Sequence, residues 1–188
     1  MYFEIITNRL VLKPLGKKYL QTTIQYAMDY ENTKYMCYMP KDTVDETEAF
    51  LESIDVEWEK DTPEFYEFAI IFNGCHIGAV SIYFENGLGE LGWIINKKYW
   101  NNGFAYEAAN SLIQYAKNEL GVKHFVSYCD TENIASYKVM ERLGMIKTEE
   151  RSGRKNRCSI NTSKEYRYEL LRETTISLSS GNTFVKRE

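Results

Sequence analysis

Between Phe65 and Leu120 the chain passes through three apolar stretches and then into one long helical pattern, and this succession constrains the fold more than any other feature. Phe65 to Phe72 and Cys75 to Phe84 are joined by Asn73-Gly74, a dipeptide that takes the positive φ values of a tight hairpin turn. Leu91 to Ile95 follows the bend Gly87 to Gly89 and stops at the polar Asn96-Lys97-Lys98. From Gly103 to Leu120, Ala105, Ala108, Ala109, Leu112, Ile113 and Ala116 share one broad helical face, and Gly121 stands as a C-terminal stop. A meander running into a long helix predicts an α/β fold of the α+β type on a mostly antiparallel sheet.

The flanks extend the pattern. Arg9 to Leu15 reads as an opening strand; Leu20, Ile24, Ala27 and Met28, then Val44, Phe50, Leu51, Ile54 and Trp58, fall at helical steps. After the long helix, His124 to Cys129 predicts a short buried strand, Asn133 to Leu143 a helix closed by Gly144, and Met145 to Glu149 and Glu165 to Leu171 two final strands. This makes six to seven strands with about four helices. Residues 1–172 are expected to form one domain; the stretch 173–188 is rich in Ser and Thr and is expected to fray as a polar C-terminal tail.

Composition narrows the function classes. A net charge of -4 gives no global attraction for nucleic acid. Cys37, Cys75, Cys129 and Cys158 lie far apart, and His76 and His124 have no partner at ligand spacing, so no metal site is expected. Without a basic start followed by an apolar run, and without a long apolar stretch, the expectation is a cytoplasmic protein with no membrane partner. A homodimer stays open.

Two segments carry chemistry. Tyr99 to Ala109 (YWNNGFAYEAA) leads from a strand through a polar loop into a helix, whose first N–H groups lack internal partners and suit a phosphate, with Gly103 allowing close approach. Alone it reads first as an ordinary strand-to-helix turn with Asn-Gly punctuation. Asp130 to Met145 (DTENIASYKVMERLGM) enters a helix at Asn133 and sets Ser136 one turn later on a similar face. Alone it is equally a capped helix with a solvated serine.

Together, in this order, the segments resemble the acetyl-CoA-binding motifs of the GNAT acetyltransferase superfamily, closest to its RimJ/RimL-like branch of ribosomal-protein alanine acetyltransferases. The resemblance spans nearly the whole chain through Thr7 to Pro14 (TNRLVLKP), Gly78 to Ile82 (GAVSI), Glu90 to Ile95 (ELGWII), Tyr99 to Ala109 and Asn133 to Met145. The family's first motif, Gln or Arg, two residues, Gly, one residue, Gly or Ala, aligns with Trp100, Gly103 and Ala105. Trp100 departs from it, and Asn101 stands where glycine is common, at a position that favours positive φ.

The resemblance implies a splayed sheet. It also implies that backbone groups of Ile94 and Ile95 hold the pantetheine arm, that amides of Asn101, Asn102, Gly103, Phe104, Ala105 and Tyr106 grip the pyrophosphate, and that Asn133 bonds the pantetheine. It offers Glu90 as general base, directly or through water, and Ser136 as partner of the departing thiolate. Where other members use a tyrosine as acid this chain has Met140; Tyr137 and Tyr128 are reserves. The implied reaction is direct transfer of acetyl from acetyl-CoA, as co-substrate, to a primary amine on a protein N-terminus or a small molecule. Alternatives are a CoA-binding regulatory module without turnover, or an N-acyltransferase for longer acyl-CoA.

Acceptor signals are fewer. Between Asp42 and Glu67 eleven acidic residues meet one base, Lys60, which either draws a cationic amine or is a solvated helix face. Tyr35, Tyr38, Trp58 and Phe65 line a cleft or fill the core.

Overall fold

The computed structural model describes residues 3–39, 42–170 and 183–186. The elements are β1 (Phe3–Ile6), β2 (Leu10–Pro14), α1 (Leu20–Ala27), α2 (Tyr30–Thr33), α3 (Val44–Glu59), β3 (Phe65–Phe72), β4 (Cys75–Glu85), β5 (Leu88–Ile95), α4 (Phe104–Glu119), β6 (Phe125–Asp130), α5 (Ile134–Arg142), β7 (Ile146–Arg154), β8 (Ser163–Leu170) and β9 (Thr183–Lys186). All strands join one sheet in the order β7-β8-β6-β5-β4-β3-β2-β1-β9. Among the described residues every pairing is antiparallel except β5 with β6.

The hairpin turns form as their residues dictate: Asn73 and Gly74 take φ of 47° and 79°, Asn86 and Gly87 take 51° and 78°. α4 lays Ala108, Ala109, Leu112, Ile113 and Ala116 on the sheet, and its run of alanines brings the helix axis close. On the opposite face α1 is anchored where the Thr22 hydroxyl meets His76 Nδ1 at 2.7 Å, and α3 packs beside α1. An aromatic group formed by Phe3, Trp58, Tyr66, Phe68 and Tyr115 closes the core, with the Phe3 and Tyr115 rings stacked at 4.5 Å. Trp58 is therefore core rather than cleft.

The strand count exceeds the expected six to seven because β1 pairs with β2 and because four residues of the expected frayed tail, Thr183–Lys186, pair along β1 as β9. The rest of that tail lies outside the described residues. A short helix, α2, also appears where none was expected. It is closed by Asp29, whose carboxylate accepts from Asn32 N–H at 3.0 Å.

Candidate active site

β5 and β6 run parallel but pair only at Gly89 with Phe125 and at Glu90 with Val126. At the next step the buried Ser127 hydroxyl donates to Leu91 C=O at 2.9 Å, and beyond it the strands part. Asn96 N–H bonds Ile77 C=O on the far side, so ladder alternation turns Ile94 toward β4 and turns Trp93 and Ile95 toward the fork. On β6, Thr131 N–H bonds Lys164 C=O, and the same alternation turns Tyr128 toward the fork. The fork thus offers strand-edge groups of Trp93, Ile95 and Tyr128, as an extended arm requires. Two expectations change here. Ile94's polar backbone belongs to the β4 ladder, and Ile95 C=O is taken by Trp100 Nε1 at 2.7 Å and by Asn32 Nδ2 at 2.6 Å, leaving only its N–H. Trp100 is accordingly a tie between loop and strand.

Each forked strand is followed by a helix, so the N-termini of α4 and α5 stand at the fork's open end. Ahead of α4, Asn101 takes φ of 62° and Gly103 of 74°, so the position where asparagine replaces glycine is indeed left-handed. Asn102 fixes the loop by donating to Tyr99 and Trp100 carbonyls. Phe104 buries its ring against Phe72 while its amide belongs to the first turn, with those of Ala105 and Tyr106. Two guanidiniums that sequence reasoning missed flank this turn: a Cβ on Gly103 would lie 3.6 Å from Arg142 Nη1 and 3.8 Å from Arg9 Nη2. Arg9 also binds Glu107 at 2.6 Å and Asn102 C=O at 3.0 Å, and Arg142 stacks on Tyr106 at 4.0 Å. Unpaired helix N–H groups between two cations form a polyanion seat suited to a pyrophosphate.

α5 is held by Asp130, buried at the end of β6, which accepts from Ser163 at 2.6 Å and from Asn156, and whose carbonyl takes Asn133 N–H. Burial raises the Asp130 carboxyl, but the hydrogen bonds of Ser163, Glu132 N–H and Asn156, with Arg154, hold it below the usual carboxylate range. Asn133 Oδ1 caps the helix by accepting from Ser136 N–H at 3.2 Å; its Nδ2 has no partner among the described residues. Ser136 lies in the same turn, half-buried. Met140 is fully buried, and Tyr137 packs on Tyr166.

The face of the sheet bearing Glu90 is polar beside the fork. Register sets Glu90 across from Tyr83 and Val126, with Tyr128, Arg151 and Glu165 on adjoining strands of that face. Glu90 keeps an exposed tip, but the cleft walls withdraw enough water to raise its carboxyl, Glu165 and Glu85 add to this, and Arg151 opposes it. Glu67, counted only as part of an acidic run, is buried at 8% exposure and accepts from Tyr83 Oη at 2.8 Å. Burial pushes its carboxyl up to about 7. Several carboxylates of the run share three cations: Glu48 and Glu52 pair with Lys17, Glu57 with Lys60, and Asp42 and Glu46 with Arg157. Asp42, Glu46, Glu48 and Glu52 fit the solvated-face reading, whereas Glu57 and Glu67 are buried. Phe65 stacks on Tyr83 at 4.7 Å and Tyr38 is 82% exposed, whereas Tyr35 lends its carbonyl to Arg154.

No described helix is long and apolar enough to cross a membrane, and no described cluster of His, Cys, Asp and Glu could hold a metal ion. A family model for the acetyltransferase (GNAT) domain matches residues 9–146. The uncharacterized N-acetyltransferase YnaD of Bacillus subtilis (strain 168) is 30% identical over 177 residues, 90% of this chain and 98% of its own. A GNAT-family acetyltransferase from Bacillus anthracis superposes with a TM-score of 0.76 at 26% identity, over 91% of this chain and 98% of that one. An acetyl transferase of Salmonella typhimurium that modifies the N-terminal serine of ribosomal protein L7/L12 reaches a TM-score of 0.78 at 14% identity, over 90% of this chain and 99% of its own, a likeness of fold alone. With the forked sheet, the polyanion seat and a family match across most of its length, the chain belongs to the GNAT family and is an acetyl-CoA-dependent N-acetyltransferase.

Proposed function

We propose that the chain transfers acetyl directly from acetyl-CoA to a primary amine that arrives as a cation, on a protein N-terminus or a small molecule, without an acyl-enzyme. The observation carrying this reading is the fork itself, with the α4 seat at its open end and Glu90 at its closed end. The α4 amides with Arg9 and Arg142 hold the pyrophosphate; Trp93, Ile95 and Tyr128 edges with Asn133 Nδ2 hold the pantetheine arm. The ammonium first gives up one proton to a base or to solvent; the amine nitrogen then attacks the thioester carbon, Glu90 takes the second proton as the C–N bond forms, and the C–S bond breaks. The Ser136 hydroxyl donates a hydrogen bond to the sulfur as it leaves and passes it a proton, which solvent returns to the serine.

The test is to incubate the protein with acetyl-CoA and a panel of polyamines, amino acids, aminoglycosides and peptides with free N-termini, following free thiol and the mass of the acceptor. Thiol release with one acetyl added to an amine is expected. CoA binding without release across the panel overturns the reading in favour of a regulatory module. Preference for a longer acyl-CoA in competition overturns the donor.

A further inference from the structure

Three residues form a row across three strands on the Glu90 face: Glu67 pairs with Ser81 and Ser81 with Gly92, and Gly92 lies between Leu91 and Trp93 on the forked strand. Ser81 is buried, and its hydroxyl lies close enough to the Glu67 carboxyl to favour the charged form against the rise that burial imposes. The same hydroxyl overhangs the forked strand, for a Cβ on Gly92 would lie 2.8 Å from Ser81 Oγ. Glycine at that position keeps a polar path clear between the fork and a buried carboxylate. From the other side Tyr83 Oη reaches Glu67 at 2.8 Å while the tyrosine stays 38% exposed, so the carboxylate also has a route to solvent.

We propose that Glu67 is the group that removes the acceptor ammonium's proton, relayed by the Ser81 hydroxyl across Gly92, so that the amine meets the thioester uncharged. This rests on the acetyl-transfer reading above. The ammonium N–H breaks as its proton bonds to Ser81 Oγ, and the Ser81 proton passes to a Glu67 oxygen; the amine is left with its lone pair and Glu67 becomes neutral. Tyr83 then returns the proton to solvent. Glu90 acts afterwards, on the proton freed as the C–N bond forms, so the two carboxylates divide the two deprotonations of nitrogen.

The groups facing Glu67 are Ser81 and Tyr83 from β4, Tyr26 from α1, whose hydroxyl burial and the Glu67 charge make less acidic, and the Trp58 indole of α3, which donates to Glu67 C=O. Among the described residues no cation pairs with Glu67. Tyr38, Glu90, Glu165 and Arg151 reach it through Tyr83 or Glu90. A carboxyl buried with hydroxyls and no cation accepts a proton near neutrality, as a base for an ammonium requires.

Profiles of kcat/KM against pH for the wild type and for Glu67→Gln, Tyr83→Phe and Glu90→Gln, with the best acceptor from the panel, test this. The wild type should show an acid limb near 7. Glu67→Gln should abolish that limb and lower kcat/KM above it ~100-fold. Tyr83→Phe, which removes a bond that favours the charged carboxylate, should move the limb to higher pH. Glu90→Gln should lower kcat and leave the limb in place. An unchanged limb in both Glu67→Gln and Tyr83→Phe, or its loss in Glu90→Gln alone, overturns the proposal. Should Glu67→Gln fold poorly, the Tyr83→Phe shift decides. Thiol release by the wild type decides the acetyl-transfer reading separately.

Discussion

Asn133 divides its amide between two duties. Its oxygen caps α5, which truncation would forfeit at about 1 kcal/mol of stability, while its nitrogen has no protein partner among the described residues. The duties separate experimentally. Asn133→Ser keeps a capping oxygen and loses the amide donor, so it should fold normally yet bind acetyl-CoA more weakly by about 1–3 kcal/mol, read by titration calorimetry. Ser136→Ala should do the reverse, leaving affinity near its starting value and lowering kcat ~100-fold. If Ser136→Ala weakens binding as much as it slows turnover, the serine holds cofactor and is not a partner of the sulfur. At this scale, the residues legible in sequence were those whose neighbours along the chain explain them, such as Asn101, Gly103 and Asn133. Arg9, Asn32, Glu67 and Arg142 were not, because each acts on a segment far away in sequence, and no local pattern marks a side chain for a distant partner.

The elements themselves were largely readable, since hairpin dipeptides and helical alanine spacing are local signals. What resisted reading was the fork, a product of how two parallel strands meet and then part. Gly78 illustrates the difference. In sequence it is one glycine of a strand; in the fold a Cβ there would lie 2.1 Å from Ile94 C=O, so β4 and β5 approach more closely than any other residue permits. Gly78→Ala should cost about 1–3 kcal/mol, seen as a fall in Tm of roughly 3 to 10 °C, and should displace the strand that borders the fork. A melting temperature equal to the wild type's would mean the two strands can slide apart freely. β1 and β9 escaped notice for another reason: each has four residues, too few for alternation to stand out.

Over the whole molecule, two kinds of carboxylate act in opposite senses. Asp130, Glu107 and Glu169 are held below the usual range by their partners despite burial, so they add stability above their unfolded pKa that is lost as pH falls. Glu67 lies the other way. Its folded value of about 7 exceeds the 4.5 of an unburied glutamate, so the fold is unaffected below 4.5, weakens as pH rises between the two, and carries the full penalty above 7. That gap corresponds to about 3 kcal/mol. Glu67→Gln should therefore be more stable than the wild type at pH 8, with the difference closing toward pH 4.5 in denaturant titrations. Equal stability at both ends would mean that Glu67 is not buried as a charge.

The Ser127 clasp has a mechanical meaning as well. Among the described residues, two residue pairs, the Gly89 N–H bond to His124 C=O and one hydroxyl join the plate β7-β8-β6 to the plate running from β5 to β9 along the strand edges. Few ladder bonds resist bending at such a seam, and Arg154 and Arg157 add ties across it to Tyr35, Asp42 and Glu46. Under the proposed reading the donor lies between the open edges as a brace across them, and so stiffens the framework that presents it to the acceptor.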